Sequence, residues 1–272
     1  MPRLPAPPLP KVLRPKPAKP GQNGNGDRLA PVEQVVEGGI TAVDWIDERT
    51  SLSPALRWLL FRKVPRGINW YYTLGSATLF AFLNQAVTGV FLAMYYRPDV
   101  AGGAYESIRN INDNVFLGQL VHAMHKWGAS VMIILIFLHM ARVFFYGAYK
   151  YPRELTWIIG VTLLILTLVM GFTGYLLPFD QRSYWATVVG VNINGTGPFI
   201  GPYLNDFLRG GPDWAATTLS RFYSIHMLLV PGAMAALIGV HLYLVTKLGI
   251  TAPPWLKADH EDPANGLDKA SV

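Results

Sequence analysis

Four histidines stand in strongly apolar sequence as two pairs, His125 with His139 and His226 with His241, separated by 14 and 15 residues. A helix rises about 1.5 Å and turns about 100° per residue, so these steps cover about 21 to 22 Å and return the side chain to within about 40° and 60° of its starting direction. Each pair therefore lies near one helix face, its members separated by much of a bilayer's thickness. An imidazole buried in hydrocarbon needs a partner. Two neutral imidazoles from facing helices can fill both axial positions of a haem iron, which leaves no position for oxygen and suits the site to electron transfer.

The elements that must position these rings are readable from composition. The 272-residue chain is 51% hydrophobic and 15% charged, too apolar for an ordinary soluble domain. It contains no cysteine, which excludes disulfides, iron-sulfur ligation by this chain and thioether-linked haem. The net charge of +6 reflects membrane topology rather than nucleic-acid binding.

Four apolar segments are predicted to cross the membrane, at about 71–96, 118–146, 155–178 and 221–247. Residues 1–40, proline-rich and nearly free of aromatic side chains, form an expected disordered tail without the apolar core of a signal peptide. Residues 41–66 mix Trp45, Ile46, Leu56 and Trp58 with Asp44, Asp47, Glu48 and Arg49, as an amphipathic helix on a membrane surface would. A four-helix domain is expected over 67–250 and a polar tail over 251–272, where His260 is read as solvated. The 179–220 connection is long enough to carry helices of its own and to line a site.

Lysine and arginine near the span ends place both termini on the cytoplasmic side. Arg57, Arg62, Lys63, Arg66, Lys150, Arg153, Lys247 and Lys257 fall there, whereas the opposite arginines are offset by acidic residues. With four spans, the second and fourth run in parallel. His125 is then expected to face His226 near the outer side, and His139 to face His241 near the inner side. Spans one and three repeat the same period in glycine, Gly75 with Gly89 and Gly160 with Gly174, giving patches free of side chains where a flat macrocycle could approach; close helix packing is the competing use of such glycines. The aromatic runs Trp70-Tyr71-Tyr72 and Tyr95-Tyr96 read as interface-belt residues, and Pro231 as a helix bend.

Over about residues 41–255 the chain resembles the N-terminal half of cytochrome b, in its shorter b6-like form. The resemblance rests on Val90-Phe91-Leu92-Ala93-Met94-Tyr95-Tyr96-Arg97-Pro98, His125-Lys126-Trp127, His139 with Arg142, and Pro152-Arg153-Glu154-Leu155-Thr156-Trp157. It continues through Gly174-Tyr175-Leu176-Leu177-Pro178-Phe179-Asp180-Gln181, Tyr184-Trp185-Ala186 and Arg221-Phe222-Tyr223-Ser224-Ile225-His226. The 15-residue step in the fourth span looks like the b6 branch.

This resemblance implies an all-α membrane protein, a four-transmembrane-helix haem-binding bundle with two noncovalent b haems, acting as a subunit of a quinol-oxidising, proton-translocating complex. In that family quinol is oxidised near the outer face. One electron passes to a Rieske iron-sulfur protein and on to a c-type cytochrome or similar acceptor, and the second crosses through the two b haems to reduce quinone near the inner face. Tyr184, Trp185 and Ala186 match residues walling the outer quinol site. The Pro-Glu-Trp-Tyr motif that completes that wall is expected from a separate C-terminal cytochrome b chain, within a homodimeric complex in a bacterial cytoplasmic membrane.

Lys126 and His122 occupy positions where arginines commonly meet outer-haem propionates, and Arg142 is the corresponding candidate for the inner haem. His122, 17 residues from His139, lies about 100° off the ligand face and is a poor axial ligand; its competing reading is a polar residue near the interface. Thr73 stands where chloroplast-like members carry the cysteine of a covalent third haem, so no such haem is expected. Thr246 replaces an arginine near the inner site, leaving Lys247 as the nearest cation. Two other readings fit the histidines alone: a dihaem cytochrome b anchor of another quinone-linked dehydrogenase or hydrogenase, and a haem-free transporter or scaffold with histidines along a proton path. The ordered motifs around all four ligands and the glycine pairs argue against the anchor, and the haem-free reading predicts a colourless purified protein.

Overall fold

The computed structural model describes residues 44–50 and 67–253, and the expectations for 1–40, most of 41–66, and the tail beyond 253 with His260 lie outside the described residues. The first described segment, α1 (44–50), is a short helix in which Thr50 donates to the Ile46 carbonyl and Arg49 lies over the Trp45 ring. After a 3₁₀ turn at Trp70–Thr73 follow α2 (Leu74–Ala93), α3 (Gly103–Asp113), α4 (Gly118–Phe145), α5 (Glu154–Tyr175), α6 (Gln181–Gly195), α7 (Gly201–Arg209), α8 (Ala216–Ser224), a π turn at Ile225–Leu229 and α9 (Val230–Leu248). There is no strand among the described residues.

Four helical stretches are long and apolar enough to cross a membrane: Trp70–Ala93, Gly118–Phe145, Glu154–Tyr175 and Ala216–Leu248. The first and third end about three residues before their predicted limits. The fourth begins five residues earlier than expected, because α8 runs through the π turn into α9. The short α3, within what reads as a glycine- and proline-marked loop, buries Ala104, Ser107 and Ile111 and is in contact with α4. The 179–220 connection does carry its own helices, α6, α7 and the start of α8.

Helix packing divides the bundle into two closely packed pairs, α2 on α4 and α5 on α9, with α4 and α5 in lighter contact. The two histidine-bearing spans, α4 and α8–α9, do not pack closely on each other. Each span buries only a small share of its own residues. Apolar area alone does not drive helices together in lipid, so what stands between the pairs has to fix their spacing.

Two details of α9 matter for the site. Pro231 lacks the N–H that would continue the preceding turn. At this place the backbone widens, and the Val230 N–H bonds to the Ile225 carbonyl five residues back. A π turn absorbs one extra residue into a helix, so the 15-residue step from His226 to His241 has the angular effect of a 14-residue step. Both histidine pairs thereby return to within about 40° of one direction. At the far end, Arg153 donates to the Leu248 and Gly249 carbonyls and closes the C-terminus of α9.

Tyr96 corrects the interface-belt reading. It is buried, stacks on Tyr223 with ring centroids 5.4 Å apart, and donates to the Leu177 carbonyl at 2.6 Å. Burial, with the Tyr223 hydroxyl nearby, raises the phenol above its ordinary pKa and keeps it a donor. Tyr95 remains partly exposed, as a belt residue should. Tyr96→Phe leaves one carbonyl without this donor and is expected to destabilise the protein by about 1 kcal/mol, read as a lowered thermal midpoint in detergent.

Candidate cofactor site

The histidines on α4 and in the α8–α9 span meet as the parallel-span argument requires. His125 and His226 face each other with ring centroids 6.3 Å apart and planes at 79°. A metal–imidazole bond of ~2 Å and a ring radius of ~1 Å on each side together need about 6 Å, so one metal fits between the two rings. His139 and His241 form the second pair, close enough to interact electrostatically. Among the described residues no three His, Cys, Asp or Glu side chains gather into an ion cage. Paired imidazoles without further protein donors are the donor set of a haem iron, whose macrocycle supplies the equatorial ligands.

Each of the four paired glycines, Gly75, Gly89, Gly160 and Gly174, backs one histidine. A Cβ on Gly89 would stand 3.2 Å from His125 Cε1, and one on Gly75 would stand 3.1 Å from His139 Cε1. On α5, a Cβ on Gly174 would come to 2.5 Å from His226 Cε1, and one on Gly160 to 3.4 Å from His241 Cε1. The glycines therefore make room for the imidazoles themselves, a role the spacing left open between macrocycle approach and helix packing.

The outer pair opens on a cavity of about 560 Å³ lined by Gly89, His122, His125, Lys126, Gly174 and His226, among others. Lys126 is exposed and His122 is half-buried. His122 is tied through Nδ1 to Asn112 Oδ1 on α3 at 2.8 Å, so it lines the cavity without joining the facing rings. At the other pair, Arg142 stacks over Tyr72 at 3.7 Å, and its Nε and Nη2 are buried without a hydrogen-bond acceptor. Two unpaired guanidinium donors in such a place fit an anion that the side chains do not supply. Lys247 is exposed and donates to the Tyr243 hydroxyl at 3.1 Å.

On α6, which Asp180 caps by accepting from the Ser183 N–H at 2.7 Å, Tyr184 packs edge-on against Phe179 and Trp185. Trp185 and Ala186 face outward. Trp185, Val189 and Ile193 form an exposed apolar stripe at four-residue spacing.

Two residues that sequence reasoning passed over touch the rings. Thr88 Oγ1 lies 2.9 Å from His125 Nδ1, and Thr173 Oγ1 lies 3.2 Å from His226 Nδ1. The readable signal was position, since each threonine directly precedes one of the paired glycines.

Residues 60–249 match the family described as cytochrome b/b6/petB. The chain belongs to the cytochrome b/b6 family. It is 43% identical over 218 residues to the menaquinol:cytochrome c reductase cytochrome b subunit of Bacillus subtilis, covering 77% of this chain and 97% of that one. It is 40% identical over 213 residues to cytochrome b6 of Heliobacterium modesticaldum, covering 78% of this chain and all of the relative. Among solved structures, a chain of a hyperthermophilic respiratory Complex III superposes with a TM-score of 0.72 at 34% identity, covering 78% of this cytochrome b and 56% of that chain. This chain thus spans little more than half of that one.

Proposed function

We propose that this cytochrome b carries electrons across a bacterial cytoplasmic membrane through two noncovalent bis-histidine b haems, as a subunit of a quinol:cytochrome c, or similar acceptor, oxidoreductase running a proton-translocating Q cycle. The observation that carries the reading is the 6.3 Å gap between the His125 and His226 rings, each ring backed by a glycine. When bound, b haem supplies a reversible one-electron ferric/ferrous couple. His125 and His226 hold the outer iron, and His139 and His241 hold the inner one. With both imidazoles of a pair engaged, the chain's own residues would leave an iron held there no open position for oxygen.

Around the irons the chain's own groups supply charge and shape. Lys126 and His122 are the outer propionate partners and Arg142 the inner one, with Lys247 the cation near the inner quinone site. Tyr184, Trp185 and Ala186 form one wall of the outer quinol site. Support for a second wall from another chain comes from the outward-facing Trp185–Ile193 stripe and from a relative, 97% of which this chain covers, that is itself named a cytochrome b subunit. The partners are accordingly a C-terminal cytochrome b chain, a Rieske iron-sulfur protein and a c-type cytochrome or equivalent, assembled as a homodimer. Both termini lie on the cytoplasmic side, with Lys150, Arg153 and Lys247 at that face.

Purification in mild detergent tests this reading through reduced-minus-oxidised spectra, haem quantitation and identification of the co-purifying chains. Two b haems per chain with a Rieske protein are expected; a colourless protein, or a hydrogenase or dehydrogenase partner, would sink the proposal. Arg142→Gln removes a charged hydrogen-bonding partner worth about 1.5–3 kcal/mol. It is expected to weaken retention of the inner haem roughly tenfold to a hundredfold, seen as selective loss of one b component on dilution.

A further inference from the structure

We infer that Thr88 and Thr173 are positioning residues that hold the outer pair's imidazoles electron-rich and so lower the reduction potential of the outer haem; the inference rests on the bis-histidine reading above. Each threonine has one hydroxyl proton, and an acceptor nearer than the ring takes it. Thr88 Oγ1 donates to the Asn84 carbonyl at 2.6 Å, and Thr173 Oγ1 donates to the Val169 carbonyl at 2.8 Å. Toward His125 Nδ1 at 2.9 Å and His226 Nδ1 at 3.2 Å, each hydroxyl oxygen can therefore only accept. Both Nδ1 atoms then carry the proton, and both Nε2 lone pairs are left for the metal.

An acceptor at Nδ1–H raises the basicity of the ligating nitrogen. A more basic ligand favours ferric over ferrous iron, and hydrogen bonding around a haem's axial ligands is one of the protein's means of setting its potential. Both threonines are buried, so water does not dilute the effect. The inner pair lacks this hydroxyl acceptor, the Thr156 backbone carbonyl being what lies beside His241. The residues before its glycines are Leu74 and Ile159, whose side chains accept no hydrogen bond. One dipeptide position thus distinguishes the two sites, as Thr-Gly at both outer histidines and as Leu-Gly and Ile-Gly at the inner ones. The direction favours electrons moving from the outer pair toward the inner.

Optical redox titration of the purified complex tests this with Thr88→Val and Thr173→Val, which keep the β-branch and remove the hydroxyl. Each is expected to raise the outer midpoint by a roughly threefold to tenfold shift in the reduction equilibrium, tenfold being 59 mV for a one-electron couple. The inner midpoint stays fixed, and Thr88→Ser restores the wild-type value. Leu74→Thr is the reciprocal variant: it is expected to lower the inner midpoint, and it decides the matter if a valine variant loses haem. Two intact b components with unmoved midpoints, or a serine variant shifted as far as the valine one, would overturn this inference alone. A wild-type complex without two b components would overturn the bis-histidine reading and this inference together.

Discussion

Replacing His139 or His241 with leucine is expected to remove one of the two b haems, leave the other in place and abolish electron transfer across the membrane. Leucine fills the volume of an imidazole but offers no lone pair, so the inner iron would lose one of its two protein bonds. The outer pair is held independently, because His125 and His226 are backed by Gly89 and Gly174 and bonded to Thr88 and Thr173. Haem quantitation should fall from two to one per chain while the spectrum of the surviving component stays unchanged. Reduction of that component by quinol should persist while its reoxidation through the inner side stops. Retention of both haems in either variant would show that these rings are not ligands.

Much of this arrangement is legible in the sequence, because membrane burial makes a few residue types expensive. A histidine or arginine in hydrocarbon has to be explained by a partner, and spacing then assigns the partners. His125 with His226 follows from parity of the spans, and the rings do meet. The less legible features depend on geometry that periodicity does not encode. The 15-residue step in the fourth span reads as a 60° drift until the π turn before Pro231 removes it. Tyr96 sits at the end of an apolar span, where an interface aromatic is expected, yet a neighbouring carbonyl draws it inward. Helix α3 is short and its apolar stripe includes Ser107, so its pattern does not stand out from a loop. Threonines in apolar helices usually bond their own backbone, as Thr162 and Thr167 do here; only the fold shows that Thr88 and Thr173 also reach a ring.

The four glycines give a graded test of the site, since one substitution, glycine to alanine, is expected to help at one end of the series and to harm at the other. In a helix interior this change gains about 0.5–1 kcal/mol by reducing the freedom of the unfolded chain. Against it stands the room available for one methyl group. At Gly160 the added Cβ would lie 3.4 Å from His241 Cε1, an ordinary contact, so Gly160→Ala should keep the inner haem and leave stability unchanged or slightly raised. At Gly75 and Gly89 the distances of 3.1 and 3.2 Å require the ring to yield by a few tenths of an ångström, predicting partial loss or an altered spectrum. At Gly174 the Cβ would lie 2.5 Å from His226 Cε1 and 3.1 Å from both ring nitrogens. The ring must leave its place, and overpacking of this kind costs about 1–3 kcal/mol. His226 also lies within the π turn, so backbone relief on its own side would disturb the register that aligns His241. Gly174→Ala should therefore lose the outer haem first and most completely among the four variants. Haem content per purified chain, ordered Gly160 above Gly89 and Gly75 and those above Gly174, is the expected result. Equal haem in all four variants would mean that the glycines serve helix packing and not the seating of the imidazoles.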